Sequence, residues 1–260
     1  MLVFAGFITG VLVGLTGVGA GAMMTPLLLL VFGVAPATAV GTDLLFAGLT
    51  KIVASRVHQS AGLIDWQVVR RLWLGSLPAS ALTIAAIQQG WLQLDVVELK
   101  QIIGWAVIVT ATGMTMQKQL NAMGRSLRLG HAESFKRFQP SLTVLAGALL
   151  GFLVSLTSVG AGAVGAVLMA YLYPLRLTPA RLVATDIVHA VPLALFAGMG
   201  HVFVGHVDFE LLSWLLLGSV PGVWIGAKLS SRMLQTYLKF LLSLMLAIIC
   251  LKLIKIINTV

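Results

Sequence analysis

Charge is what this chain has least of. Only 10% of its 260 residues are Asp, Glu, Lys or Arg, against about 25% in a soluble domain, so it has too little polar surface to cover itself in water. The first 42 residues contain no charged side chain, and further uncharged runs cover 72–94, 101–117, 138–175 and 211–227. Several of these approach the ~20 residues that span a bilayer as a helix. Cysteine is almost absent as well. The single Cys250 excludes a disulfide framework within the chain and any cluster of thiolate metal ligands. No Ser/His/Asp or Cys/His arrangement with a recognisable motif points to catalysis, and no pair among His58, His189, His201 and His206 has metal-site spacing. The chain is therefore expected to be no enzyme and to need no cofactor or metal.

What is present is apolar: 59% hydrophobic residues and a mean hydropathy of +1.02. The six Trp, at 66, 73, 91, 105, 214 and 224, lie near the ends or flanks of the apolar runs, as interfacial anchors do. The net charge of +9 raises the question of nucleic acid. Basic residues in cytoplasmic loops set topology in membrane proteins, and no basic stripe with interleaved aromatics occurs, so no nucleic-acid partner is expected. Residues 1–22 end in small residues like a cleavable leader but lack a basic start, and the same pattern recurs in mid-chain.

That recurrence decides the architecture. Leu15-Thr16-Gly17-Val18-Gly19-Ala20-Gly21-Ala22 returns as Leu156-Thr157-Ser158-Val159-Gly160-Ala161-Gly162-Ala163, differing only at Gly17/Ser158. The match continues in order: Pro36 with Pro179, Thr42-Asp43 with Thr185-Asp186, His58 with His201, Gly62 with Gly205, Asp65 with Asp208, Leu74-Gly75-Ser76 with Leu217-Gly218-Ser219, and Pro78 with Pro221. A collinear series of this kind marks an internal duplication. It divides the chain into a first repeat at 1–117, a basic linker at 118–140 and a second repeat at 141–260. Apolar segments fall at 2–14, 21–34, 37–57, 68–88 and 99–117, and again at 142–155, 162–175, 180–203, 209–228 and 237–257.

The first two segments of each half are short for a span, which predicts a hairpin of broken helices whose Gly-rich tip lies near mid-membrane, followed by three transmembrane helices. Irregular backbone at that depth is tolerated only inside protein or a water-filled cavity. Two tilted full spans with an ordinary tight turn are the alternative. The linker carries Lys118, Arg125, Arg128, Lys136 and Arg137 with one acid, which places it in the cytoplasm. Counting spans outward from it puts corresponding loops on opposite sides, so the halves read as inverted repeats; Lys252 and Lys255 near an external C-terminus are the one discordant feature.

Inverted repeats with interrupted helices are the plan of many secondary transporters, with substrate at the midplane. Glycines let backbone approach a ligand closely, and a helix beginning at each tip turns unpaired N–H groups and a positive dipole end toward the centre. The two tips together, Thr16, Gly17, Val18, Gly19, Ala20 and Gly21 with Thr157, Ser158, Val159, Gly160, Ala161 and Gly162, would form a small anion cradle. The competing reading is that small residues here only permit tight helix packing. Asp43 and Asp186, each following a Thr, are costly inside a membrane at about 2.5–3.5 kcal/mol. Thr42, Asp43, Lys51, Thr185, Asp186 and His189 are thus candidates for coupling or gating, with an Asp carrying a proton. The alternative is a structural role, in which Asp43 caps the hairpin or pairs with Lys51, or Lys51 snorkels to the cytoplasmic face.

Gly14-Leu15-Thr16-Gly17-Val18-Gly19-Ala20-Gly21 with Pro26, then Pro36-Ala37-Thr38-Ala39-Val40-Gly41-Thr42-Asp43-Leu44, resembles the TauE/SafE sulfite-exporter-like permeases. The echo at 156–163 and 184–186 matches that family's second repeat. The tip departs from the family's usual triple glycine, and Asp43 and Asp186 stand where Ser or Asn is common. The resemblance implies a multi-pass permease of the cytoplasmic membrane that moves sulfite, sulfonates or related sulfur oxyanions. The expectation is an all-α integral membrane protein acting as a secondary transporter by alternating access, with a small anion and the lipid bilayer as partners and assembly into a homo-oligomer allowed. Permeation of an unrelated solute such as an organic acid, or a membrane scaffold without transport, are the competing readings.

Overall fold

The computed structural model describes residues 1–16, 21–59, 62–130, 132–160 and 162–230. These form ten helices and, among the described residues, no strand: α1 Leu2–Thr16, α2 Gly21–Leu30, α3 Pro36–Gln59, α4 Trp66–Gln88, α5 Val96–Thr115, α6 Gln117–Gly130, α7 Ala132–Thr157, α8 Ala163–Leu172, α9 Pro179–Val204 and α10 Phe209–Ser230. The apolar segment at 237–257 lies outside the described residues. Four stretches, Val96–Thr115, Lys136–Thr157, Pro179–Val204 and Phe209–Gly226, are long and apolar enough to cross a membrane. Less than half of each is buried within the protein. The outward residues are Phe4, Leu74, Leu145, Phe203 and Leu217 among others, a surface suited to hydrocarbon rather than water.

Local chemistry accounts for where the helices start. Pro36 and Pro179 open α3 and α9, positions where a missing N–H costs nothing, and Thr178 caps α9 through a bond from Arg181 N. Asp65 caps α4, Asp208 accepts from Leu211 N at 2.9 Å at the start of α10, and Asp95 forms a reciprocal capping box with Glu98 on α5. The turns before α4 and α10 carry Gly62 at φ 63° and Gly205 at φ 80°. A side chain there would be strained, which explains why both halves keep glycine.

The helix breaks fall where the duplication placed them, since α1 ends at Thr16 and α7 at Thr157, the same residue of the repeat. The expected pair of short helices at the head of each half is corrected for α7. While α2 and α8 have 10 residues each and α1 has 15, α7 has 26. Glu133, Lys136, Arg137 and Gln139 are polar but good helix formers, so the helix runs on upstream of its apolar stretch. Trp73 likewise departs from an interfacial role: its indole N–H donates to the His189 carbonyl at 3.1 Å between α4 and α9.

Most of 118–140 is helical, and it covers the C-terminal end of α8. Asn121 donates to the Ala170 carbonyl at 3.2 Å and Gln139 to that of Leu172 at 2.5 Å, pairing carbonyls that a helix end leaves without intrahelical partners.

Packing between the halves is reciprocal. α1 lies along α10 and α4 along α7, while α3 and α9 cross at the centre. Glycine makes the lateral contacts possible. Gly6 and Gly10 face the backbone of Leu215 and Ser219, and Gly147 and Gly151 face Leu72 and Ser76, the corresponding residues of the other half. Gly218 against Val3 and Gly75 against Val144 repeat the exchange. At the centre, Leu45 packs over Gly198 and Leu195 over Gly48. Buried side chains from both halves, including Val40, Leu44, Val154 and Leu193, share one core cluster.

A methyl group at Gly75 would overlap the Val144 carbonyl and crowd Ala148 N. Gly75→Ala is expected to destabilise the protein by about 1–3 kcal/mol, read as a lower melting temperature in detergent. Gly113→Ala, whose nearest neighbour is a Val167 methyl at 3.4 Å, should be neutral or slightly stabilising. Equal effects at the two positions would contradict the backbone-contact account.

Candidate functional site

The crossing of α3 and α9 buries ionisable groups. Asp43 and Lys51 on α3, and Asp186 and His189 on α9, are each at most 2% exposed. Lys51 lies within electrostatic reach of both aspartates and of His189. Each aspartate faces the short helix of its own half. Thr25 of α2 donates to Asp43 Oδ2 at 2.5 Å, and the Asp186 carboxylate sits in the space left by the missing side chain of Gly165 on α8. His189 Nε2 is 3.0 Å from Ser76 Oγ on α4. Four buried side-chain atoms of this group make no hydrogen bond: Asp43 Oδ1, Asp186 Oδ1, His189 Nδ1 and Ser158 Oγ. Unmade bonds of this kind cost about 1–3 kcal/mol each, and their clustering marks the place where a ligand would be satisfied.

The second Gly-rich tip reaches this cluster. Thr157 ends α7, with its hydroxyl donating to the Leu153 carbonyl at 2.7 Å and accepting from Val159 N at 3.1 Å. It therefore shapes the turn. Val159 is buried in the shared core and anchors the tip. Ser158 lies at φ 56°, while Gly160 and Gly162 lie at 115° and 140°. Gly162 precedes α8 without a side-chain cap on that helix; the Gly165 and Ala166 amides already donate to the Gly160 and Gly162 carbonyls at 3.2 and 3.0 Å, so the Ala163 and Val164 amides are the first-turn donors an anion could use. Ser158 also lies close enough to Asp43 of the other half for its hydroxyl to act on that carboxylate. At the first tip, Thr16 and Gly21 are terminal residues of α1 and α2. Gly17, Val18, Gly19 and Ala20, and Ala161 of the second tip, lie outside the described residues.

Thr42 and Thr185 hold the opposite half. The Thr42 hydroxyl accepts from Asp208 N at 3.0 Å and the Thr185 hydroxyl from Asp65 N at 3.1 Å. The two ends of the α3–α9 crossing are nevertheless unlike. At one, Arg176 grips Asp65 with two bonds of 2.5 and 2.8 Å and also donates to Gln67 at 2.7 Å, with Arg181 3.9 Å from the same carboxylate. At the other, His201 Nε2 donates to the Ser155 carbonyl at 2.8 Å, and its Nδ1 lies 3.4 Å from His206 Nδ1. His58, the counterpart of His201, lies in α3.

Thr25 and Ser76 are the site residues that sequence reasoning missed as such. Thr25 is the only hydroxyl-bearing residue within α2, a signal that periodicity does not weigh. Among the described residues no three His, Cys, Asp or Glu side chains gather as a metal-binding group.

The family model described as "Sulfite exporter TauE/SafE" matches residues 2–253. A relative from Bacillus subtilis, the "Probable membrane transporter protein YjnA", is 36% identical over 256 residues, covering 97% of this chain and 98% of its own. The "Probable membrane transporter protein MJ0441" of Methanocaldococcus jannaschii is 25% identical over 267 residues, covering 95% and 92%. The "Probable membrane transporter protein YdhB" of Bacillus subtilis is 24% identical over 249 residues, covering 92% and 93%. No solved structure matches the chain.

Thr25→Val removes the donor to Asp43 while keeping the shape of the side chain. It should cost about 1–3 kcal/mol of stability in detergent unfolding, and Thr25→Ser should restore most of it. A neutral Thr25→Val would show that the bond does not hold the carboxylate.

Proposed function

The chain belongs to the sulfite exporter TauE/SafE family of membrane transporters, and from this premise we propose that it moves a small sulfur oxyanion or sulfonate across the cytoplasmic membrane as a secondary transporter. The observation that carries the reading is the meeting of the uncapped α8 N-terminus and the Ser158 hydroxyl with the buried Lys51, Asp43 and Asp186. An anion approaching there finds helix-end amides, a hydroxyl and a buried cation, the donor set suited to oxyanion oxygens. By the duplication, the octamer of the first repeat would supply the matching half of the cradle.

Transport follows by alternating access between two inverted repeats. Supporting this is the reciprocal pattern of contacts: α1 with α10 and α4 with α7, and the Thr42–Asp208 and Thr185–Asp65 bonds. Such contacts let one half rock against the other about a fixed site. With the basic linker cytoplasmic, the Arg176–Asp65 clamp closes the inner end, and opening that end requires breaking it. Two aspartates against one lysine leave the buried group short of positive charge, so an anion entering it must bring a cation with it. Protonation of Asp43 or Asp186 is one way to supply that charge.

Thermal unfolding of the purified protein in detergent tests the substrate class. Sulfite, sulfate, thiosulfate and short sulfonates are compared with chloride and carboxylates. An anion at one hundred times its Kd should stabilise the folded protein by about 2.7 kcal/mol. Gly160→Leu, which places a side chain at a left-handed tip position, should abolish the shift, and Ser158→Ala should weaken it. Stabilisation by carboxylates alone would replace the sulfur anion by an organic acid, and no response to any anion would remove the cradle reading.

A further inference from the structure

The two halves treat their aspartates differently, and the residues behind the difference stand at matching positions of α2 and α8. In the register of the octamers, Met24 and Thr25 of the first half correspond to Gly165 and Ala166 of the second. Thr25 donates to Asp43 Oδ2 at 2.5 Å, and Met24 is a fully buried core side chain. Ala166 has no hydroxyl to offer Asp186, and Gly165 has no side chain at all. The Asp186 carboxylate takes up the room this leaves, since a Cβ at Gly165 would overlap Asp186 Oδ1.

Gly165 is the third residue of α8, so Asp186 Oδ1 lies against the first turn of that helix. Cα–Cβ bonds tilt toward a helix's N-terminus, which puts the oxygen on the side of the Gly-rich tip. Asp186 is 2% exposed and its Oδ1 makes no hydrogen bond. The Gly165 amide is not a partner, because it donates to the Gly160 carbonyl at 3.2 Å. Oδ1 therefore meets the positive end of the helix without a directed bond to fix it. An anion using the Ala163 and Val164 amides would come to the same helix end. Two negative charges in one buried place repel strongly, so they do not both stand ionised there without added positive charge. The groups around Asp186 bring little. Lys51 of α3 faces it but also faces Asp43, and His189 of its own helix has Nε2 3.0 Å from Ser76 Oγ of α4. Of the other helices packed against α9, α8 carries no ionisable side chain before Tyr171, α7 none after Arg137 and α4 none after Arg71.

We propose that Asp186 is the proton-coupling residue: its carboxylate and the transported anion compete for the N-terminal end of α8, and the anion enters as Asp186 takes up a proton. The proposal rests on the anion-transport reading. One proton from water joins one carboxylate oxygen, and a monovalent anion replaces the charge so removed. The net charge of the buried group is then the same before and after binding. Asp43, tied by Thr25, stays as the fixed counter-charge of Lys51, while Asp186 is the carboxylate that exchanges.

The test is calorimetric binding of methanesulfonate and sulfate, anions of constant charge around neutral pH, to the purified full-length protein over a series of pH values. Repeating each titration in buffers of different ionisation enthalpy counts the protons taken up. Wild type should take up about one proton per methanesulfonate bound and lose about tenfold in affinity for each unit of rising pH once free Asp186 is ionised. Asp186→Asn and Asp186→Ser, two replacements that cannot ionise, should bind with an affinity independent of pH and take up no proton. Asp43→Asn should still take up the proton. In infrared difference spectra of the wild type, anion binding should raise the carbonyl band of a protonated carboxylic acid, and Asp186→Asn should lack it. Proton uptake that survives in both Asp186 variants, or wild-type affinity that follows sodium rather than pH, overturns the coupling role and leaves the anion reading standing. Failure of either anion to bind at any pH removes the anion reading and this proposal together.

Discussion

Ionised groups inside a membrane protein must be compensated by other protein groups or by ligands, and this constraint organises the centre of the molecule. Asp43, Lys51 and Asp186 are withdrawn from solvent on two crossing helices. Isolated, each would cost several kcal/mol to bury. The surroundings reduce that cost unevenly: Thr25 serves one oxygen of Asp43, Lys51 faces both carboxylates, and several polar atoms are left over. A core evolved only for stability would replace such a group with apolar side chains. Retaining it incompletely satisfied makes sense where a ligand completes it intermittently.

The reciprocal joints give that centre its frame. Each half lends a threonine to the backbone of an aspartate that caps a helix in the other, and each lends glycines on which the other's helix can lie. Glycine-lined contacts bring backbones close without interlocking side chains. The asymmetry is concentrated at the ends, where an arginine clamp at Asp65 has no arginine answering it at Asp208 among the ion pairs of the described residues. The framework is shared between the halves, while the groups that distinguish its two ends are not.

Much of this was legible in the residues themselves. The duplicated octamers located both helix breaks, because glycine clusters and hydrophobic periodicity are local signals. The Pro36/Pro179 and Asp65/Asp208 pairs marked helix starts for the same reason. Asp43, Lys51, Asp186 and His189 stood out because charge is rare in apolar segments, and the fold does bring them together. The length of α7 was missed since hydropathy registers where apolar residues begin and helix propensity continues past them. The linker's helices were missed on the same ground. Thr25 was invisible because a single hydroxyl in an apolar run carries no weight until a neighbour is known. Ser158 could be singled out as the one mismatch between octamers, but its left-handed backbone and its approach to Asp43 depend on contacts more than one hundred residues apart.

The pairing of α1 with α10 also bears on how the chain is made. α1 leaves the ribosome before the other described helices, yet the helix it lies against begins roughly 190 residues after its end. At a synthesis rate of about 5–20 residues per second, that interval is on the order of 10–40 s. The pairing of α4 with α7 closes much sooner. Throughout the interval the glycine face of α1 has no native partner within the chain. An early helix with a bare, close-packing surface is open to wrong neighbours in the bilayer, and the same small residues that allow the final fit offer little bulk to keep them away. Biogenesis, more than the finished fold, is where this architecture is most exposed to error.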